Sequence, residues 1–162
     1  MASFHTKTFS KHDDYMTPKY AWENIQQYIP KDKVLWDPFY FNGQSGKDLK
    51  DLGFNIIHKD VNFYDNNLGD IIISNPPYSD TKNIINRLKE LDKPFILIMP
   101  SPKICTSYIR DFFNCDKKLQ IIIPRKRIQF IKNGNEQTNK CNFDCFYYCY
   151  KMNLEKDIIW LE

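Results

Sequence analysis

No apolar run in the chain approaches the roughly 20 residues that cross a bilayer, so no membrane-spanning helix and no membrane partner are expected. The amino terminus has no signal-peptide pattern, because His5, Lys7, Lys11 and His12 interrupt any apolar stretch; a cytoplasmic protein is the expectation. Internal repeats, low-complexity tracts and interdomain linkers are also missing, which excludes solenoids and repeat arrays. The 162 residues therefore read as a single domain, 1–162, with 1–13 a flexible arm and enough chain for a real core. A disulfide framework does not fit an odd set of cysteines, Cys105, Cys115, Cys141, Cys145 and Cys149. Cys141, Cys145 and Cys149 recur every fourth residue of a β-like run, about 13 Å apart on a strand, too far to share an ion whose Zn–S bonds are about 2.3 Å. No metal site is expected, and these thiols read as small buried hydrophobes. A strong excess of one charge is lacking too: the net +3 permits nucleic-acid binding without arguing for it.

What the chain does contain is short β-branched runs alternating with amphipathic stretches. Thr17 can cap a first helix with Pro18 at its first position, followed by Ala21, Trp22, Ile25, Tyr28 and Ile29 on one face and a stop at Pro30. Residues 33–36 read as a strand, and Ser45 can cap a helix that turns Leu49 and Leu52 inward and stops at Gly53. Further strands are expected at 55–58, 70–74, 94–99, 119–123 and 143–152. Between them, one helix carries Ile84, Ile85, Leu88 and Leu91. Another opens at Ser101-Pro102 with Ile104, Tyr108 and Phe112 as its stripe. Strands alternating with helices imply a parallel α/β sheet covered on both faces. The last two strands have no helix between them, which predicts an antiparallel closing pair. The tail around Ile158 and Trp160 is expected to dock on this domain.

Ligands of such sheets bind beyond the carboxyl ends of the strands. The loop 37–46 follows the first strand and is rich in Gly, Asn and Ser, a place where a nucleotide-like ligand meets backbone N–H groups. Asp60 follows the second strand. It reads either as the carboxylate that holds ribose hydroxyls or as a surface residue in a turn. The stretch 70–74 ends in Asn75-Pro76-Pro77-Tyr78, polar and rigid residues delivered by a buried strand.

The tetrad Asn75-Pro76-Pro77-Tyr78 resembles the catalytic motif of class I amino-methyltransferases of the N6-adenine type, and the resemblance covers residues 14–152. Asp37, Pro38, Phe39 and Gly43 match the Asp-Pro-Phe-x-Gly-x-Gly cofactor loop of that family, with Phe41 where its first glycine belongs. Tyr15, Thr17 and Pro18 resemble its aromatic-x-Thr-Pro segment. Arg127-Ile128-Gln129-Phe130, after a strand and Pro124, looks like phage and large-virus adenine methyltransferases. The resemblance implies a Rossmann-like methyltransferase sheet, mostly parallel with a C-terminal antiparallel pair. It implies S-adenosylmethionine held by Tyr15, Thr17, Pro18, Asp37, Pro38, Phe39, Gly43, Asp60 and Asn75. It also implies methyl transfer to N6 of adenine in nucleic acid, DNA before RNA, in the host cytoplasm if viral.

The chemistry suits those residues. Adenine's amino nitrogen is a weak nucleophile because its lone pair is delocalised into the ring. Two acceptors on its two N–H bonds, the Asn75 side-chain oxygen and the Pro76 carbonyl, would stabilise the charge that builds on nitrogen. Pro76 and Pro77 stiffen the corner, and Tyr78 offers a face on which an extruded base can stack. Arg125, Lys126, Arg127 and Lys132 form the dense basic stretch. With Phe130 it reads as a contact for phosphates and the target nucleotide, or as a solvated loop. Similar tetrads serve glutamine methyltransferases, and Phe41 favours a catalytically degenerate relative that binds nucleic acid or an active subunit. Homo- or heterodimerisation is compatible with both, and no separate target-recognition domain of ordinary size fits in the chain.

Overall fold

The computed structural model describes residues 15–114, 116–132 and 141–162; the arm expected at 1–13 and Cys115 lie outside them. The main sheet contains β2 (Val34–Trp36), β3 (Asn55–Ile57), β4 (Ile71–Ser74), β5 (Phe95–Pro100), β6 (Leu119–Ile123), β8 (Cys145–Tyr150) and β9 (Ile158–Trp160). A separate two-stranded ladder joins β1 (Tyr15–Met16) to β7 (Ile131–Lys132). The helices are α1 (Lys19–Glu23), α2 (Gln44–Asp51), α3 (Thr81–Leu91) and α4 (Ser107–Phe112).

The seven strands lie in the order β3-β2-β4-β5-β8-β6-β9. All neighbours are parallel except β8, which runs antiparallel between β5 and β6. Continuous apolar runs suit a sheet buried on both faces. Leu35, Ile71, Ile73, Ile96, Ile98, Ile122 and Cys149 face one side, packed with Ala21 and Trp22 of α1 and Leu49 of α2. Trp36, Ile72, Phe95, Leu97, Met99 and Tyr148 face the other, under Ile84, Ile85 and Leu88 of α3 and Ile109 and Phe112 of α4. Cys145 joins the first of these clusters, and burial pushes its thiol up to about 12. Among the described residues no helix is long and apolar enough to cross a membrane.

Several local details differ from expectation, each for a physical reason. Pro18 is the extended cap residue of α1, at ψ 146°, and the Thr17 hydroxyl serves another partner. With Pro18 itself extended, the helix starts one residue late, at Lys19. At α2 the cap is Gly43 in the left-handed conformation, φ 81°, and the Gln44 N–H donates to Asn42 Oδ1 at 3.0 Å; Ser45 lies inside the helix. The stretch after Ser101 forms a 3₁₀ turn and breaks at Thr106 before α4 begins, which leaves Ile104 exposed and outside the apolar stripe. The tail docks by adding β9 as a parallel edge strand beside β6.

Candidate active site

The chain leaves β2 for β3 on one side, then returns to β4 on the other. That reversal opens a crevice between the carboxyl ends of β2 and β4, the usual ligand position in such sheets. The loop starting at Asp37 and the corner starting at Asn75 form its two walls.

Asp37 is 2% exposed and is held from three directions. Its Oδ1 accepts from the Phe39 N–H at 3.1 Å and the Ser74 hydroxyl at 2.7 Å, which ties the ends of β2 and β4 together. His58 Nε2 stands 3.5 Å from Oδ2. Burial pushes the Asp37 carboxyl above its ordinary range, opposed by His58, the Ser74 hydroxyl and the Phe39 N–H. His58 Nδ1 accepts from the Gly46 N–H at 2.8 Å, so Nε2 is the ring nitrogen that carries the proton in the neutral form. That proton faces the Phe39 carbonyl, 3.3 Å away, and the Asp37 carboxylate. His58 thus pins the β2 loop to the start of α2. The strand expected at 55–58 gives no hint of this, and the one local signal was a glycine, Gly46, in the first turn of a helix.

Asn75 stands at the opposite wall. Its Nδ2 donates to Thr17 Oγ1 at 3.0 Å, and its Oδ1 accepts from the Tyr78 hydroxyl at 2.6 Å. The amide is therefore oriented from both ends. Pro76 and Pro77 are buried, and the Pro76 carbonyl accepts no hydrogen bond from the described residues. The Tyr78 ring meets Phe143 edge-on at 6.0 Å and 89°. Its carbonyl accepts from Thr81 Oγ1 at 2.9 Å and Lys103 Nζ at 3.3 Å, which anchors the corner to α3 and to the turn after β5.

Tyr15, Thr17, Asp37, Phe39, Phe41 and Asn75 line one small cavity between the walls. Pro38 and Gly43 belong to the same loop, and a Cβ on Gly43 would meet the Tyr40 hydroxyl at 2.8 Å. Phe41 has φ 51°, the left-handed backbone that glycine adopts freely. The loop thus keeps a glycine-type path at this position, at a cost of about 1–2 kcal/mol for a residue with a Cβ. Asp60 is exposed beyond the end of β3 and does not line this cavity.

The lining offers the polar groups a cofactor of the S-adenosylmethionine type would need: buried carboxylate, hydroxyl, amide and loop backbone. The room is another matter. The cavity holds about 20 Å³, space for about one water, whereas small-molecule pockets run to roughly 300–1,000 Å³. A contact from Asn42 Nδ2 to Met16 Sδ at 2.9 Å ties the loop to β1 across its mouth. The residues fit in kind, and a cavity of this size does not admit a cofactor as it stands.

The basic stretch divides. Arg125 and Lys126 are exposed. Arg127 forks onto Asp144 with two bonds of 3.0 Å and reaches the Cys141 carbonyl at 3.3 Å, so it fastens the start of β8 to the crossover after β6. Phe130 is 6% exposed and stacks on Phe143 at 5.8 Å, with Tyr15 edge-on to both rings. It supports the aromatic floor behind Tyr78 and presents little surface to a ligand.

No family model matches the chain. No curated protein matches it. A solved structure does: the crystal structure of a Listeria monocytogenes protein provisionally assigned as a class I S-adenosylmethionine-dependent methyltransferase matches with a TM-score of 0.52 at 13% identity. The match covers 95% of this chain and 67% of the Listeria chain. At that identity the likeness is one of fold: the chain adopts a Rossmann-like methyltransferase fold, mostly parallel with antiparallel pairing at its C-terminal strands.

Proposed function

We propose that the chain transfers a methyl group from S-adenosylmethionine to the N6 amino group of adenine in nucleic acid, DNA in preference to RNA. One observation carries this reading: an oriented Asn75 oxygen and an unengaged Pro76 carbonyl share a proline-stiffened corner at the switch point of the sheet. Thr17 fixes the amide so that Oδ1, not Nδ2, faces the side where Tyr78 now lies. A substrate amino group would take over that oxygen from the Tyr78 hydroxyl and give its second N–H to Pro76. The Tyr78 ring, once released, can cover the face of the base. Bound S-adenosylmethionine would supply an electrophilic methyl on a sulfonium. The protein's part is to hold the nitrogen in line with it and to stabilise the positive charge that builds there, with no strong base needed. Arg125 and Lys126 are the cations available for phosphates.

The test is incubation with methyl-labelled S-adenosylmethionine and separate DNA, RNA and peptide pools. Label recovered as N6-methyladenine nucleoside is the expected result, and label on glutamine would overturn it. A second reading is favoured by the closed cavity: a methyltransferase fold without transfer, binding nucleic acid or an active subunit. Calorimetry separates the two, since the second reading predicts no heat of binding with S-adenosylmethionine.

A further inference from the structure

The sheet ends at β9, and among the described residues no strand pairs with its outer side. Open edges are commonly blunted by lysine, proline or a bulge. This one reads Ile158-Ile159-Trp160. The residue is unusual in what it shows to solvent: Ile158 is 53% exposed and Trp160 is 73% exposed. Among the described residues no helix covers the strand, and a groove of about 850 Å³ runs beside it, bounded by Tyr28, Arg125 and residues 158–162.

The backbone pattern specifies how this edge can be completed. The Asp157 carbonyl accepts from the Ile121 N–H at 2.8 Å, and the Leu161 N–H donates to the Ile123 carbonyl at 2.9 Å. Odd-numbered residues therefore turn their peptide groups toward β6, and by alternation Ile158 and Trp160 turn theirs outward. Ile159 packs on the core, so Ile158 and Trp160 share the opposite face.

We propose that β9 is the interface of a homodimer in which two copies pair antiparallel about Ile159, joining two sheets into one. The register is self-complementary. Ile158 stands opposite Trp160 of the second copy, and since both peptide groups point outward, each such pair exchanges both N–H···O bonds. An apolar side chain then covers an indole on one face, in each half of the interface. Such an isologous contact closes at two copies and leaves no free edge there. The strand is short, so the dimer is expected to be weak and concentration-dependent. The inference does not depend on the proposed transfer.

Sedimentation velocity over a concentration series tests it. The chain is expected to pass from monomer to dimer, and Trp160→Lys to weaken the dimer at least tenfold with an unchanged melting temperature. The register is tested by Ile159→Cys. Residues facing themselves in a non-hydrogen-bonded antiparallel pair have Cα atoms about 4.5 Å apart, within disulfide reach. Mild oxidation should therefore give a covalent dimer of Ile159→Cys, well beyond any formed by the unsubstituted chain with its own exposed Cys105. A chain that stays monomeric throughout, or a dimer that survives Trp160→Lys without an Ile159→Cys crosslink, would overturn the proposal.

Discussion

The two walls of the crevice are built on different principles. The corner after β4 is stiff because of its own residues: two prolines fix φ locally, and Thr17 and Tyr78 need only orient one amide. The loop after β2 has no such stiffness of its own. It contains a phenylalanine in a glycine conformation and is held by a buried Asp37–His58–Gly46 network reaching in from β3 and α2. One wall is rigid by covalent geometry and the other by packing, so one should tolerate changes around it and the other should not. The corner suits an invariant hydrogen-bonding task. The loop suits a site that must open and close.

The sharpest way to break that contrast is at the corner. Asn75→Ala removes an acceptor and leaves both prolines in place. Transfer is expected to fall by about 10²–10³-fold, the scale of losing one electrostatic stabiliser, while the melting temperature and cofactor affinity change little. An equal loss of cofactor binding and transfer would mean that Asn75 holds the cofactor wall and not the substrate. At the opposite wall the expected damage is to folding. A Cβ on Gly46 would lie 2.6 Å from His58 Cβ, an atom close to its own backbone that cannot swing aside. Gly46→Ala should cost about 1–3 kcal/mol in denaturant unfolding. His58→Gly in the same chain should recover part of that loss, because it removes the Cβ and ring that the new methyl would meet. Simple addition of the two penalties would show that the network is not what holds the loop.

Phe41→Gly sharpens the comparison further. Relief of left-handed strain, about 1–2 kcal/mol, is offset by glycine's extra freedom in the unfolded chain, about 0.5–1 kcal/mol. Stability should therefore rise by no more than about 1.5 kcal/mol. The cavity that Phe41 lines should widen, and calorimetry should show S-adenosylmethionine binding more tightly. Weaker binding would make Phe41 a contact for the cofactor instead of an obstacle.

These expectations rest unevenly on what the sequence discloses. Strands β2 to β6 were legible because each is a short apolar run closed by a turn residue, as Ile71-Ile72-Ile73 is by Asn75-Pro76, and β8 was legible as an aromatic run, whereas nothing in the sequence announced the β1–β7 ladder. The antiparallel end of the sheet followed from the missing helix between β6 and β8. The partners of the site residues were not legible, because they are set by distance in space. Thr17 lies 58 residues from the Asn75 amide it accepts from, and neither its role as a helix cap nor its place in the aromatic-x-Thr-Pro segment pairs the two. Arg127 looks like a free cation until Asp144, 17 residues on, is folded against it. Phe130 looks like a surface aromatic until the β1–β7 ladder draws it onto Phe143. His58 was opaque for the same reason, since its significance lies in the glycine 12 residues earlier that lets it approach.

The smallest effect concerns how the packed wall responds to pH. Burial raises the Asp37 carboxyl above its ordinary value, so its protonated form contributes stability that is fully present below the unfolded value, about 3.9. As pH rises through the raised folded value, that contribution is lost. Exposed carboxylates pull the other way. Tyr150 and Lys151 hold Asp92 below the usual range, and Arg127 does the same for Asp144, so both contribute stability that is lost as pH falls. Their opposing slopes hide Asp37 in the unsubstituted chain, and only a difference measurement isolates it. Asp37→Asn keeps an oxygen for the Ser74 hydroxyl and the Phe39 N–H but cannot titrate. The variant should be less stable than the parent near pH 4, and the gap should narrow as pH rises through the raised carboxyl value. A gap that widens with pH would mean that the ionised carboxylate is favoured in the fold, with its bonds to Ser74, Phe39 and His58 outweighing burial. The loop after β2 would then be held by charge, and salt as well as acid should loosen it.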